Sequence, residues 1–91
     1  MGSIVAVILR IMPESPDVDL EAIKSESEGF LMEKGAKNVS FEEKNVAFGL
    51  KAVIVKFAWP EEQDTSIFED GLAKIEGVSS AATEDYRRAF G

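Results

Sequence analysis

Residues 3–12 are apolar at nearly every position and rich in β-branched side chains, the pattern of a strand covered on both faces or nearly so. Pro13 and Pro16 stop it. Beyond them Leu20, Ile23, Ser27, Phe30, Leu31 and Lys34 recur at helical spacing, with Asp17 or Asp19 placed to cap the start and Gly35 to end the helix. Gly29 inside this run costs about 1 kcal/mol against alanine, which does not cancel the periodicity. Residues 38–46 and 50–59 are two strand-like runs around a turn within 43–49, hence a hairpin, and Pro60 ends the second strand. Ser66-Ile67-Phe68-Glu69 matches a capping box, in which hydroxyl and carboxylate satisfy free amides at a helix start. Phe68, Leu72 and Ile75 form the stripe of that helix and Gly77 terminates it, after which residues 78–90 read as a more polar strand.

The order β-α-β-β-α-β predicts an α+β fold, the ferredoxin-like sandwich of a four-stranded antiparallel sheet with two helices on one face. Right-handed crossovers place strands 1 and 3 in the middle, which agrees with their apolar character and with the charges on strands 2 and 4. A length of 91 residues predicts a single domain over 1–91. Strand 1 offers Val5, Val7, Leu9 and Ile11 to one face and Ile4, Ala6, Ile8 and Arg10 to the other. Only one face meets the helices. The second, with Ala52, Ile54 and Lys56 of strand 3, is expected to leave apolar surface open to solvent, either as ordinary surface apolarity or as a face through which a homodimer forms.

Composition narrows the functional classes. The longest apolar run, residues 4–9, is far short of the ~20 a membrane span needs, and no basic flank or cleavage site marks a signal peptide. A cytoplasmic, membrane-free protein is expected, in keeping with zero cysteines. The net charge of -7 disfavours direct nucleic-acid binding, and the basic residues cluster at one place, Arg87-Arg88.

No histidine or cysteine supplies a base, thiolate or zinc ligand. Asp17, Asp19, Glu21 and Glu28 match four positions of a calcium loop, but Ala22 replaces the required glycine and the helical pattern runs through the segment. No glycine-rich phosphate loop follows any strand. An acylphosphatase of the same topology would carry such a loop with an arginine after strand 1, where Met12-Pro13-Glu14-Ser15-Pro16 stands here. The chain is therefore expected to be no enzyme, with no cofactor and no metal.

Phe48 sits beside Gly49 where the hairpin turns, and Arg87-Arg88 lie at the exit of strand 4, so the topology separates them by roughly 30 Å. Either Phe48 folds back over the helices as a core residue or it is a contact. Either the arginines are a solvated tail or they too are a contact. Both acting at once would require a large partner.

Four stretches, "MPESPDVDLEAIK" after strand 1, "VAFGLKAVIV" in the hairpin, "IEGVSS" after the second helix and "DYRRAF" at the end, give the chain a resemblance to the archaeal elongation factor 1-beta family. The resemblance covers essentially the whole length. It implies a guanine-nucleotide exchange factor that promotes GDP release from the GTPase elongation factor 1-alpha, with the ferredoxin-like fold. It implies that Phe48 and Gly49 match the aromatic-glycine pair that touches the partner's second domain. It implies that Arg88, with Arg87 beside it, matches the lysine that reaches toward the partner's magnesium site. This sequence departs from that pattern in carrying arginine there, followed by Ala89-Phe90-Gly91. A different binding class stays open alongside it, a small ferredoxin-like regulatory or scaffold domain that dimerises through its open sheet face.

Overall fold

A computed structural model describes residues 4–60 and 65–88, Arg88 through its backbone alone. It contains β1 (Ile4–Pro13), α1 (Leu20–Glu33), β2 (Lys37–Asn45), β3 (Lys51–Pro60), α2 (Ser66–Ala73) and β4 (Val78–Arg88). The strands lie in the order β2-β3-β1-β4, every neighbouring pair antiparallel. This is the α+β ferredoxin-like architecture, with the two most apolar strands at its centre. Ser3 at the predicted start of strand 1, and Ala89 and Phe90 at the predicted end of strand 4, lie outside the described residues.

Asp19 is the cap of α1: its carboxylate accepts the Glu21 amide at 3.0 Å. The acids that matched a calcium loop thus open a helix, where its exposed amides and dipole favour negative charge. At the other end Ala36 donates to the Leu31 carbonyl at 3.0 Å and Gly35 to Met32 at 3.1 Å, with Gly35 at φ 96°. That pair of bonds is a Schellman stop, and a left-handed residue is what it requires. The start of α2 departs from the sequence expectation. Ser66 is already the first helical residue, and Thr65 stands at the cap without a side-chain capping bond. The Glu69 carboxylate accepts the Thr83 amide of β4 at 2.7 Å. A donor on a neighbouring strand has taken the carboxylate that the local motif assigned to the helix.

Val5, Val7, Leu9 and Ile11 of β1 and Val53, Val55, Phe57 and Trp59 of β3 are buried with Ile23 and Leu31 of α1 and Phe68 and Leu72 of α2. The ring of Phe68 has centroids of Trp59 at 4.6 Å, Phe57 at 4.9 Å and Phe30 at 6.4 Å, all edge-on. Phe30 also carries the α1–α2 contact, because a methyl group on Gly71 would overlap its ring. Gly29, in contrast, has open space around it. The two helical glycines therefore respond oppositely to alanine. Gly29→Ala is expected to raise the unfolding free energy by about 0.5–1 kcal/mol. Gly71→Ala is expected to lower it by about 1–2 kcal/mol net, the overpacking of Phe30 exceeding the gain in helix propensity. Urea unfolding of the two variants checks both signs.

The open face is less apolar than the sequence predicts. Ile54 is 8% exposed and Ala52 fully buried, although neither faces the helices. Ile54 lies in register between Arg10 and Glu42, and Ala52 opposite Lys44, long side chains of the kind whose stems shield apolar neighbours. Of that face, Ile4 is exposed and Ala6, Ile8 and Met12 are half-buried.

Lys24 ties α1 to the hairpin, its ammonium 2.7 Å from Glu43 and 3.1 Å from Glu21. The bond to Glu43, then that to Glu21, raises the Lys24 pKa, and the same Lys24 bond lowers that of Glu43. With its folded pKa lowered, Glu43 contributes stability that is present above the unfolded carboxylate value of about 4.3 and lost as pH falls through the folded value. Lys24, raised, contributes below about 10.4 and loses that contribution as pH climbs through its folded value. Lys24→Met is therefore expected to lower Tm near pH 7 and to converge on the parent protein toward pH 3 in thermal unfolding.

Candidate partner-binding sites

The β2–β3 connection is a tight turn. Leu50 donates to the Ala47 carbonyl at 2.9 Å and Val46 to the Leu50 carbonyl at 2.9 Å. Both central residues are left-handed, Phe48 at φ 56° and Gly49 at φ 79°. Two consecutive positive φ values give the turn the twist that matches its flanking strands. Glycine adopts this conformation freely, while for a bulky residue it costs roughly 1–2 kcal/mol. Phe48 recovers none of that cost by burial, since it is 96% exposed. The core alternative for Phe48 is thereby excluded. Val46 beside it is also exposed.

The hairpin lies beside the other connections at its end of the sheet. Pro13, Pro16 and Val18 of the β1–α1 connection line a cleft with Gly49 and Lys51. The Glu14 amide in turn donates to the Gly77 carbonyl at 2.8 Å, joining the α2–β4 turn. Three of the four sequence stretches singled out above thus meet around the base of the aromatic tip.

Arg87 and Arg88 are at the opposite end. In register Arg88 lies opposite Val5, which itself pairs with Trp59, while Asn45 and Lys51 close the hairpin. The eight residue steps along β3 from 51 to 59 span about 26 Å at ~3.3 Å each, so the two places do not converge on one small ligand. Arg87 donates through Nε to Asp85 Oδ2 at 2.6 Å and still leaves 73% of its side chain exposed. Such exposed pairs contribute little to stability, so Arg87 is steered by Asp85 without being sequestered. The Tyr86 amide at 2.8 Å, followed by Arg87, holds the Asp85 carboxyl below its usual pKa. The Arg88 side chain lies outside what the structure describes. Asp85 and Glu69 were not among the candidate residues read from the sequence; an acid two positions before Arg87 on a strand was the available signal for the first.

Among the described residues no group of three acids, histidines or cysteines has the geometry to hold a metal ion. Among the described residues no helix is long and apolar enough to cross a membrane. What the molecule presents is two separated, chemically different features, an exposed aromatic at Phe48 and a cationic pair at Arg87 and Arg88. The sequence profile of the EF-1 guanine nucleotide exchange domain matches residues 6–88. The chain belongs to that family. Elongation factor 1-beta of Methanothermobacter thermautotrophicus is 43% identical over 89 residues, covering 97% of this chain and 98% of that protein. The protein of the same name from Methanobrevibacter smithii is 43% identical over the same shares of both chains. That from Haloarcula marismortui is 38% identical over 97% of this chain and 99% of its own. The family match takes in the whole hairpin and ends at Arg88, so Phe48, Gly49, Arg87 and Arg88 all fall within the exchange domain.

Proposed function

We propose that this chain promotes GDP release from elongation factor 1-alpha, gripping the GTPase with the Phe48-Gly49 tip and acting on its nucleotide site with Arg87 and Arg88. One observation carries the reading: a phenylalanine held in a left-handed conformation, 96% exposed, at the point of a hairpin. The fold gains nothing from it. Strained, exposed residues of this kind are retained where a contact depends on them, and membership of an exchange-domain family supplies the class of partner.

The mechanism needs no catalytic group on this chain. A magnesium ion bound with GDP neutralises its phosphates, and a cationic arm that displaces the ion leaves them poorly held. A guanidinium brings one positive charge in place of two and cannot rebuild the coordination. By linkage, a factor that prefers the nucleotide-free GTPase weakens GDP by the same factor by which GDP weakens it, which speeds exchange without fixing the final nucleotide ratio. The test is release of fluorescently labelled GDP from elongation factor 1-alpha: saturating protein accelerates it, and a rate equal to the spontaneous one contradicts the proposal. The dimerisation reading is less favoured because Ala52 and Ile54 of the open face are already buried within the single chain.

A further inference from the structure

We propose that Glu69 is a positioning residue for the exchange step: with Asp85 it fixes a β-bulge at Glu84 that sets the course of the last residues of β4, the arm carrying Arg87 and Arg88 opposite Ala6 and Val5. The inference rests on the reading of Arg87 and Arg88 as the arm that acts on the nucleotide site.

β4 pairs with β1 in step from Met12 opposite Ser80 to Leu9 opposite Thr83, but the next pair is Ile8 opposite Asp85. Glu84 is the extra residue. An inserted residue bends its strand and sharpens the local twist, and such features recur where a side chain has to be re-aimed. This one precedes the arginines by only a few positions, so it governs the direction of everything after it. It is held from several sides. Glu69 Oε2, reaching across from α2, accepts the Thr83 amide at 2.7 Å on the near side of the bulge. Asp85 Oδ1 accepts the Tyr86 amide at 2.8 Å on the far side, and Oδ2 holds Arg87 at 2.6 Å. Glu84 itself lies 3.8 Å from Arg10.

The allocation of Glu69 points the same way. It has the sequence position of a helix-capping acid, yet its carboxylate is bonded to β4, and Thr65 caps α2 without a side-chain bond. A carboxylate accepting a part-buried amide makes a strong, directional bond. Stability alone did not call for a bulge, because a strand one residue shorter keeps the same pairing. Without Glu84, Thr83 stays opposite Leu9 and Asp85 opposite Ile8, each side chain keeps its face, and only the bend is lost.

That equivalence supplies the experiment. Glu69→Ala, Glu69→Gln and a deletion of Glu84 are compared with the parent protein by amide hydrogen exchange, by distances between spin labels at positions 44 and 88, and by labelled-GDP release from elongation factor 1-alpha. Glu69→Ala is expected to speed exchange of the Thr83 amide about tenfold while Leu9 and Val55 stay protected. It lowers the saturated release rate about 10–100-fold, the scale of a small misplacement, with a half-saturating concentration within about twofold. Glu69→Gln, which keeps an acceptor, recovers most of that rate. The deletion unfolds at an unchanged midpoint, shifts the label distance and lowers the saturated rate. A merely structural role for Glu69 would reduce stability and leave the saturated rate intact. An unchanged saturated rate in Glu69→Ala, unchanged Thr83 protection, or an unchanged label distance in the deletion overturns the proposal. Should the parent protein fail to accelerate release at all, the functional reading falls, and the exchange and distance data still decide whether the clamp sets the arm's course.

Discussion

Replacing Phe48 by alanine is expected to leave the unfolding free energy within about 0.5 kcal/mol of the parent value and to raise the half-saturating concentration for GDP release about 30-fold. The first half follows from exposure: a ring 96% open to solvent gives up almost no burial when it is removed. The second follows from what an aromatic anchor contributes once a partner desolvates it, about 2 kcal/mol or more at the centre of an interface. Phe48→Asn separates the two further. Asparagine tolerates the left-handed region, so this variant is expected to gain about 1 kcal/mol of stability and roughly 4–8 °C in Tm while losing the contact. A substitution that stabilises the fold and impairs function would mark Phe48 as a residue kept for its partner. Loss of folding in Phe48→Ala, seen by circular dichroism, would contradict this account.

Phe68→Ala is expected to do the reverse, lowering the unfolding free energy by about 3–5 kcal/mol. Its ring is fully buried and meets Trp59, Phe57 and Phe30 at once, so truncation leaves a cavity bounded by three aromatic edges that cannot all close in. Against a typical total of 5–15 kcal/mol, that loss leaves a marginal domain. Urea unfolding followed through Trp59, the single tryptophan, reads it directly, since that ring stacks edge-on against Phe68 at 4.6 Å. A loss below about 1 kcal/mol would show that the core collapses around the gap.

The two phenylalanines mark what the sequence could disclose. Phe68 lies in a helical stripe with Leu72, and its burial is legible from periodicity. The alternation Val5, Val7, Leu9, Ile11 named the core face of β1 correctly, and the apolar character of β1 and β3 named the central strands. Phe48 was ambiguous because exposure of a turn residue depends on the hand of the turn, and Phe-Gly is not the usual pair for two left-handed positions. Other features were hidden for related reasons. Ser66 to Glu69 satisfied a local capping motif, but a partly buried amide on β4 competed successfully for the carboxylate. The bulge at Glu84 has no local signature, since it exists only in the register between β1 and β4. The packing of Phe30 of the other helix against Gly71 has no local signature either. Ile54 and Ala52 alternate as residues of an open face should, yet both are buried, with Arg10, Glu42 and Lys44 as their partners in register on neighbouring strands.

The central claim is that the two ends of one sheet do different work on one GTPase, the tip supplying binding and the arm supplying the exchange step. Interactions equal in ground and activated states move only the concentration dependence, whereas those made in the activated state move the plateau. The most direct measurement is therefore the rate of labelled-GDP release from elongation factor 1-alpha as a function of added protein, for the parent chain, Phe48→Ala and the Arg87→Ala/Arg88→Ala double variant. The account predicts that Phe48→Ala reaches the parent plateau at a much higher concentration and that the double variant saturates at a plateau at least tenfold lower. A double variant that reaches the full parent plateau would contradict it.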